Sequence, residues 1–357
     1  MTTPRTIGEI TGPEVWRAED LARTTDWIHR LSDVEIADLD TALRAVQRRN
    51  LPWREIRRAD FPLTVFGTTL ARVSNQLEHG RGLALLRGLP VARHGDDDLR
   101  RLYWGIGVHL GTPRFQNARG ELIGEVRDEV RLYGAVQEET SAAGGEAAAS
   151  RSSRAKARSS GPLRFHTDRC DVVALLCVRQ ARRGGLSRVV STVTVSNTIR
   201  ARRPDLHALL CQDYHRSRQG EETGGEGSVY ALPIFGARSG KFTSQYSRTF
   251  VEAAQLLPRV PRISRAQDEA LDMVAEVCEE LCYTMELQPG DVQLLNNHVV
   301  YHGRTAYEDG DGADADRLLL RLWLATPNSR ALPEGFEALW GSIEPGALRG
   351  GIEQARP

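Results

Sequence analysis

The pair His166 and Asp168 is the first feature of this sequence that could do chemistry. In an extended strand, residues two apart project to the same face, so an imidazole and a carboxylate stand side by side there. Such a pair can chelate a divalent metal ion. The pattern is short enough to occur by chance on many proteins, so a metal site also needs a ligand from elsewhere in the chain.

Two more histidines, His298 and His302, follow a Pro-Gly-Asp turn and an apolar strand. Two histidines and one carboxylate that leave open coordination positions form the facial triad of non-haem Fe(II) oxygenases. Zinc accepts the same types of ligand. Only one of the two histidines can complete the set, and the spacing alone leaves that choice open.

An apolar stretch near the carboxyl end carries two arginines, Arg317 and Arg321. As a strand it has one face made only of leucines, which must pack against a core, and the arginines lie on the other face. Unpaired buried charge is costly, so they face solvent or an interior that holds anions. A guanidinium pairs bidentately with a carboxylate, so an interior position predicts a dicarboxylate ligand. The alternative is an exposed edge strand.

The elements that must position these residues change along the chain. The first third reads as helical: Ser32 and Glu35 have capping-box spacing, and Asp96–Asp98 precede a helical pattern that Gly111 ends. After Gly161 short strand-like runs follow, interrupted by one helical pattern at 265–282. These runs are Val172–Val178, Arg188–Val195, Val292–Leu295 and Leu318–Leu324.

These strands are not spaced as alternating βαβ units, and no phosphate-binding glycine motif follows a strand. We therefore expect a mainly β fold with a helical shell (α+β), a sandwich or jelly roll, and not a nucleotide-binding sheet. We expect a single domain over 1–357, with a helical N-terminal part at 1–76.

Residues 138–161 contain only small and polar side chains, with a basic cluster near their end. Such a segment buries too little apolar area to offset its ordering entropy, which predicts a flexible insertion or lid. No aromatic residues alternate with the basic ones, so the segment lacks the stacking surface of a single-strand nucleic-acid site.

The overall composition excludes several classes of protein. The 357 residues carry 47 basic and 47 acidic side chains, so no global field favours nucleic acid or an anionic membrane. Five scattered cysteines without a CxxC pair argue against a disulfide scaffold or a structural zinc site. No apolar run has the length of a membrane span, and we expect a cytoplasmic protein without a nucleic-acid or membrane partner.

Together these residues resemble the taurine dioxygenase-like family of Fe(II)- and 2-oxoglutarate-dependent oxygenases. The resemblance runs from about Leu77 to Pro333. Its motifs are Gly82–Pro90, Tyr103–Pro113, Phe165–Asp168, Gly184–Ser187, Asn297–Arg304 and Arg317–Arg321. The resemblance implies a double-stranded β-helix, the jelly-roll variant that the strand pattern suggests.

Carried over residue by residue, the resemblance implies iron ligands and catalytic residues at His166, Asp168 and His302. It implies that Arg317 binds the far carboxylate of 2-oxoglutarate, helped by the hydroxyl of Ser187, which is equally a turn residue after two glycines. Arg321 faces either the near end of this cosubstrate or an anionic group of the substrate.

The implied reaction uses Fe(II), 2-oxoglutarate and O2, and it releases succinate and CO2. Halogenating relatives have a small residue in place of the carboxylate ligand, so Asp168 indicates hydroxylation or desaturation. We expect the substrate to be a small anionic metabolite of specialised metabolism. Homo-oligomers are common in the family.

Two alternatives stay open at this point. One is a catalytically silent jelly-roll protein that binds a carboxylate or a metal, and the other is a zinc hydrolase with the same ligands. For the substrate we consider Tyr246 and Arg248 at the mouth of the site. Equally, Tyr246 could anchor the edge of the core and Arg248 could cap the surface.

Overall fold

The computed structural model describes residues 7–133, 157–218, 227–312 and 315–352. The α-helices of this part are α1 Ala18–Arg23, α2 Asp33–Arg48, α3 Phe66–His79, α4 Asp96–Leu110, α5 Glu129–Tyr133, α6 Thr192–Arg202, α7 Pro204–Leu210, α8 Arg248–Ala254, α9 Arg265–Leu281 and α10 Glu337–Trp340. No helix of this part is long and apolar enough to cross a membrane.

The strands lie mainly in the second half. They are β1 Ile28–Arg30, β2 Leu83–Arg87, β3 Thr112–Arg114, β4 Ile123–Val126, β5 Leu163–His166, β6 Val172–Arg179, β7 Arg183–Gly184, β8 Ser187–Ser191, β9 Tyr214–Ser217, β10 Val229–Leu232, β11 Phe235–Arg238, β12 Lys241–Ser244, β13 Tyr283–Met285, β14 Val292–Asn296, β15 Val300–Arg304, β16 Tyr307–Glu308 and β17 Leu318–Ala325.

Two sheets form the jelly roll that the sequence predicts. The larger sheet has the order β1-β2-β14-β6-β17-β3, with β4 also paired to β17, and the smaller has the order β13-β8-β15-β5. Strands distant in sequence are neighbours in both sheets, as the crossovers of a double-stranded β-helix require. One apolar cluster draws side chains from both sheets, and a second lies between the larger sheet and α2, α3 and α4.

Local signals in the sequence explain where the main helices begin and end. The capping box of Ser32 and Glu35 is formed at the start of α2, and that of Ser264 and Gln267 at the start of α9. Helix α4 ends at Gly111, where a Cβ atom would lie 2.5 Å from the carbonyl oxygen of Ala325. A glycine here therefore lets α4 meet the end of β17.

Strand β17 is a central strand, so its interpretation as an exposed edge is wrong. It pairs with β6 on one side and with β3 and β4 on the other, and all of its residues are buried. Its even-numbered leucines belong to the cluster under the helices, whereas Leu319 and Trp323 belong to the cluster between the sheets. Because side chains alternate along a strand, Arg321 also faces the space between the sheets.

Two sequence expectations need correction. The predicted strand Arg188–Val195 stops at Ser191, whose side chain accepts a hydrogen bond from the backbone N–H of Thr194 and so begins α6. Most of the predicted insertion at 138–161 lies outside the described residues. Its last part, from 157, is not a solvated loop: Arg158 is buried and forms an ion pair with Glu129 at 2.5 Å.

Candidate metal centre

Adjacent antiparallel strands bring His166 and His302 together. The two residues are cross-strand partners in the pairing of β5 with β15, and their ring centroids lie 4.2 Å apart. Asp168 follows two residues after the end of β5. One donor atom from each of the three side chains lies within 4.8 Å of the others, and all three residues are buried.

The hydrogen bonds leave specific atoms of this triad available. Nδ1 of His166 donates to the carbonyl oxygen of Arg164 at 3.0 Å, which leaves Nε2 as the free ligand atom. Oδ2 of Asp168 accepts from Nε1 of Trp323 at 2.9 Å. Oδ1 lies 3.6 Å from Nε2 of His166, and Nε2 of His302 lies 3.8 Å from Oδ2. These atoms converge without a hydrogen bond between the ligand side chains.

The electrostatics keep Asp168 and His302 in the protonation states that metal binding requires. Burial opposes ionisation of Asp168, but the charge of Arg321 and the two histidines outweigh it and hold the pKa of Asp168 well below its usual range. Burial, with the neighbouring His166, lowers the pKa of His302 to about 3. The aspartate is therefore ionised and His302 is neutral at pH 7, as in a metal-ligand set.

Arg321 is held beside the triad by a residue from another part of the chain. Its Nη1 lies 3.7 Å from Oδ2 of Asp168, and its Nε donates to Oε1 of Gln116 at 2.6 Å. The amide nitrogen of Gln116 in turn donates to the carbonyl oxygen of Arg321 at 2.9 Å. The arginine is thus fixed in direction before any ligand binds.

Arg317 is buried directly before the start of β17. Its Nη1 has no hydrogen-bond partner among the described residues, and its guanidinium stacks over Tyr307 at 5.1 Å. Gly185 makes room for it: the residue has a φ of 69°, and a Cβ atom there would lie 3.0 Å from Nε of Arg317. The turn formed by the two glycines therefore shapes a buried cationic site.

The hydroxyl of Ser187 is hydrogen-bonded to another side chain of the protein. It donates to Oε1 of Gln293 at 2.9 Å, and the contacts of the described residues include no hydrogen bond between Ser187 and Arg317. Both Ser187 and Gln293 are buried. The role of Ser187 toward a cosubstrate stays a prediction.

The structure places Tyr246 and Arg248 away from the metal centre, which corrects their proposed place at the mouth. Tyr246 is buried in the core, with its ring 5.3 Å from that of Tyr301. Arg248 forms ion pairs on the surface with Glu252, Asp268 and Asp272. Successive side chains of this segment point in opposite directions, so the residues next to Tyr246 and Arg248 in the sequence face the metal centre instead.

A narrow cleft opens beside His166 and Asp168 and is lined by both polar and apolar side chains. Its lining residues are Ala157, His166, Thr167, Asp168, Arg169, Tyr230, Gln245, Ser247, Phe250, Arg321, Trp323 and Leu339.

Sequence reasoning did not assign three residues that orient the triad and its neighbours. Besides Trp323, Asn297 accepts a hydrogen bond from the backbone N–H of Asp168 at 3.1 Å, and Gln116 fixes Arg321. For Trp323 a signal existed, because it shares a strand face with Arg321. Asn297 lies in the motif Asn297–Arg304, but its contact with Asp168, like that of Gln116 with Arg321, spans distant parts of the chain and is not evident from a local pattern.

His298 lies in the turn between β14 and β15 and is not part of the triad. Its Nε2 is 2.9 Å from Oδ1 of Asp171, and its Nδ1 is 2.8 Å from the hydroxyl of Thr243. Both ring nitrogens are therefore used in hydrogen bonds, so neither is available to a metal. Burial, only partly offset by Asp171, lowers the pKa of His298 to about 4.

Comparison with known proteins gives consistent matches over most of the chain. The family described as "Taurine catabolism dioxygenase TauD, TfdA family" matches residues 47–323. FR-33289 synthase of Streptomyces rubellomurinus is 31% identical over 340 residues, which cover 93% of this chain and 95% of that protein.

Two solved structures share the fold at low sequence identity. Asparagine oxygenase in complex with Fe(II), 2S,3S-3-hydroxyasparagine and succinate is 16% identical, with a TM-score of 0.60 over 84% of this chain and 93% of its own. The non-heme iron oxygenase OrfP in complex with Fe and alpha-ketoglutaric acid is 15% identical, with a TM-score of 0.57 over 83% and 93%.

Proposed function

This chain belongs to the taurine catabolism dioxygenase TauD, TfdA family of 2-oxoglutarate-dependent iron dioxygenases, and we propose that it hydroxylates a C–H bond of a small anionic molecule with iron held by His166, Asp168 and His302. In this proposal residues 1–357 form a single oxygenase domain.

The observation that carries the proposal is the set of unused donor atoms. Nε2 of His166, Nε2 of His302 and a carboxylate oxygen of Asp168 converge in a buried site, and each is held there by contacts of its own residue or strand. Two imidazoles and one carboxylate fit Fe(II) and leave coordination positions open. When bound, iron with 2-oxoglutarate and O2 supplies an oxidation that is coupled to decarboxylation and gives succinate and CO2.

Arg317 is the residue that we propose for the far carboxylate of 2-oxoglutarate. A buried guanidinium with an unpartnered nitrogen is costly, and a carboxylate would supply both the countercharge and the hydrogen bond. Tyr307 adds a hydroxyl that is also buried without a partner among the described residues. Tyr307 lies beside Arg317, with the guanidinium 5.1 Å from the centre of its ring.

The remaining residues of the site orient its charged side chains or exclude water from it. Trp323 fixes the carboxylate of Asp168 and Asn297 fixes its backbone, while Gln116 fixes Arg321 beside the same carboxylate. Arg321 is then placed to bind the near end of the cosubstrate or an acidic group of the substrate. Phe250, Leu339 and Tyr230 line the cleft with apolar surface that displaces water when a substrate binds.

An anaerobic titration tests the proposal directly. Apo protein is mixed with Fe(II) and then with 2-oxoglutarate while the visible spectrum is recorded. We expect a weak metal-to-ligand charge-transfer band, which reports chelation of the keto acid at the iron, and succinate formation once O2 and a substrate are added. Iron binding without this band in folded protein would contradict the proposal and favour a zinc site or a silent binder.

A further inference from the structure

Gln245 is a polar residue of the cleft to which the proposed mechanism assigns no role. Gln245 lines the cleft, is only 3% exposed, and its Oε1 atom has no hydrogen-bond partner among the described residues. Its neighbour in the cleft, Thr167, by contrast uses its hydroxyl to accept from the backbone N–H of Tyr246 at 3.1 Å. Gln245 is therefore the polar group of the cleft that is left to explain.

The backbone of Gln245 is rigidly held. Its N–H donates to the carbonyl oxygen of Ile234 at 3.1 Å, and its carbonyl oxygen accepts from Nη2 of Arg216 at 2.9 Å. Arg216 is fully buried and also donates to the carbonyl oxygen of Leu232. A buried arginine that holds several carbonyl groups leaves the segment that carries Gln245 little freedom.

The same segment is tied to the metal-ligand segment. Thr167 lies between the ligands His166 and Asp168, and its N–H donates to the carbonyl oxygen of Tyr246 at 2.9 Å. The hydroxyl of Thr167 closes the link by accepting from the N–H of Tyr246. Gln245 is thereby kept in a fixed register relative to the metal ligands, as a substrate-positioning group requires.

An unpaired buried amide is unfavourable by about 1–3 kcal/mol relative to a hydrogen-bonded one. Buried polar groups in folded proteins nearly always have a partner, so the partner of Gln245 is a molecule that enters the cleft. The oxygen and nitrogen of a glutamine amide are interchangeable by a flip, so the side chain can accept or donate. The side chain of Gln245 thus complements a group that donates a hydrogen bond, accepts one, or does both.

The charge of that group follows from its surroundings. Among the described residues that line the cleft, Asp168 is the one carboxylate and Arg169 and Arg321 are the cations, with Arg321 3.7 Å from Asp168. Tyr230, Phe250 and Leu339 add apolar surface beside the polar side chains of the wall. A neutral amide does not offset the cost of burying a second charge, so the group at Gln245 is neutral.

We propose, on the basis of the dioxygenase function proposed above, that Gln245 determines substrate specificity by hydrogen bonding an amide or hydroxyl group of the substrate. The substrate is then a small molecule with an acidic group and, at a distance from it, a neutral polar group. Gln245 holds that neutral group while the bond to be oxidised faces the metal.

The test uses four carboxylates of similar length that differ at the far end: 5-amino-5-oxopentanoate, 5-hydroxypentanoate, hexanoate and 5-aminopentanoate. The readout is the apparent KM and kcat for probe-dependent 2-oxoglutarate decarboxylation by the Fe(II)-loaded full chain. For the wild type we expect the amide or the hydroxyl probe to have a KM about tenfold or more below those of hexanoate and 5-aminopentanoate, the effect of one hydrogen bond between buried partners.

Two variants of Gln245 separate an effect on substrate specificity from an effect on folding. In Gln245→Leu the preference for the amide and hydroxyl probes over hexanoate disappears through KM. In Gln245→Glu, which keeps the size of the side chain, the preference shifts toward 5-aminopentanoate, because a carboxylate complements an ammonium. Gln212→Leu removes an exposed glutamine and keeps the wild-type ranking. Thermal unfolding checks that each variant folds, and Gln245→Glu carries the test if Gln245→Leu does not.

The inference is overturned if hexanoate is the best probe for the wild type, if no probe stimulates decarboxylation, or if both Gln245 variants keep the wild-type ranking. These results are distinct from failure of the dioxygenase function. That failure appears in the wild type as a missing charge-transfer band with iron and 2-oxoglutarate, before any probe is added.

Discussion

The described part of the chain contains two buried histidine–aspartate groups on the same pair of segments, and they differ in how their atoms are used. In the first, the nearest nitrogen–oxygen distances from His166 and His302 to Asp168 are 3.6 and 3.8 Å. In the second, His298 and Asp171 are 2.9 Å apart in a direct hydrogen bond. The second aspartate also accepts from Nε of Arg349 at 2.8 Å.

The difference shows why residue type and spacing alone do not identify a metal site. Asp171 accepts hydrogen bonds from His298, Arg349 and the backbone N–H of Thr326, so both of its oxygens are already engaged within the protein. We therefore call this group the structural pair. Asp168 and its histidines form the metal triad, whose ligand atoms are held in place but not paired with each other. Predictions that separate the two groups test this distinction.

The largest expected effect comes from removing one ligand of the metal triad. His166→Ala should abolish succinate formation and the charge-transfer band, because two remaining ligands do not hold the iron in the facial arrangement. The matched control is His298→Gln in the structural pair, assayed at a temperature where it is folded, and it should still give the band. Wild-type turnover in His166→Ala would contradict the metal assignment.

Removing the charge of the structural pair should change stability most. Asp171→Asn leaves Arg349, which is only 1% exposed, without its countercharge. Breaking a buried ion pair in this way costs about 3 kcal/mol or more in the free energy of unfolding. Chemical denaturation would measure the loss, and Asp60→Asn, at an exposed ion pair with Arg49, should cost less than about 1 kcal/mol. Equal losses in the two variants would mean that the structural pair contributes no more than a surface contact.

Arg317→Ala probes the other end of the site. It should raise the 2-oxoglutarate concentration needed for half-maximal decarboxylation by about tenfold to a hundredfold, the effect of one lost charge-assisted hydrogen bond or pair. The surface variant Arg248→Ala should leave that requirement unchanged, since its ion pairs lie away from the cleft. An unchanged requirement in Arg317→Ala would instead move the carboxylate-binding role to Arg321.

Much of the site was predictable because it depends on local patterns. The HxD pair, the second histidine strand and the alternation around Arg317 and Arg321 each lie within a few consecutive residues, where strand periodicity fixes which side chains share a face. The choice of His302 over His298 needed the family resemblance, since both follow the same strand. In the structure the two histidines differ in position: His302 lies in β15 opposite His166, whereas His298 lies in the turn before β15.

What the sequence did not predict depends on contacts between distant segments or on competing local preferences. The run Thr192–Val195 is rich in β-branched residues, but Ser191 caps a helix there, and packing outweighs strand propensity. The assignment of Tyr246 and Arg248 to the cleft was off by one residue, because Gln245 and Ser247 are the side chains that face it. A shift of one residue in a strand-like segment exchanges its two faces.

The smallest expected effect is the response of the structural pair to acid. Burial lowers the pKa of His298 to about 4, whereas a histidine in the unfolded chain titrates near 6.5. Between these values the unfolded state takes up a proton that the folded state does not, so the stability of the wild type falls as the pH falls from about 6.5 to about 4. His298→Gln lacks this linkage. Its stability deficit should be largest above pH 6.5 and should narrow toward pH 4, as measured by denaturation at several pH values. A deficit that stays constant over this range would mean that His298 does not titrate differently in the folded and unfolded states, and the contrast with the metal triad would then depend on geometry alone.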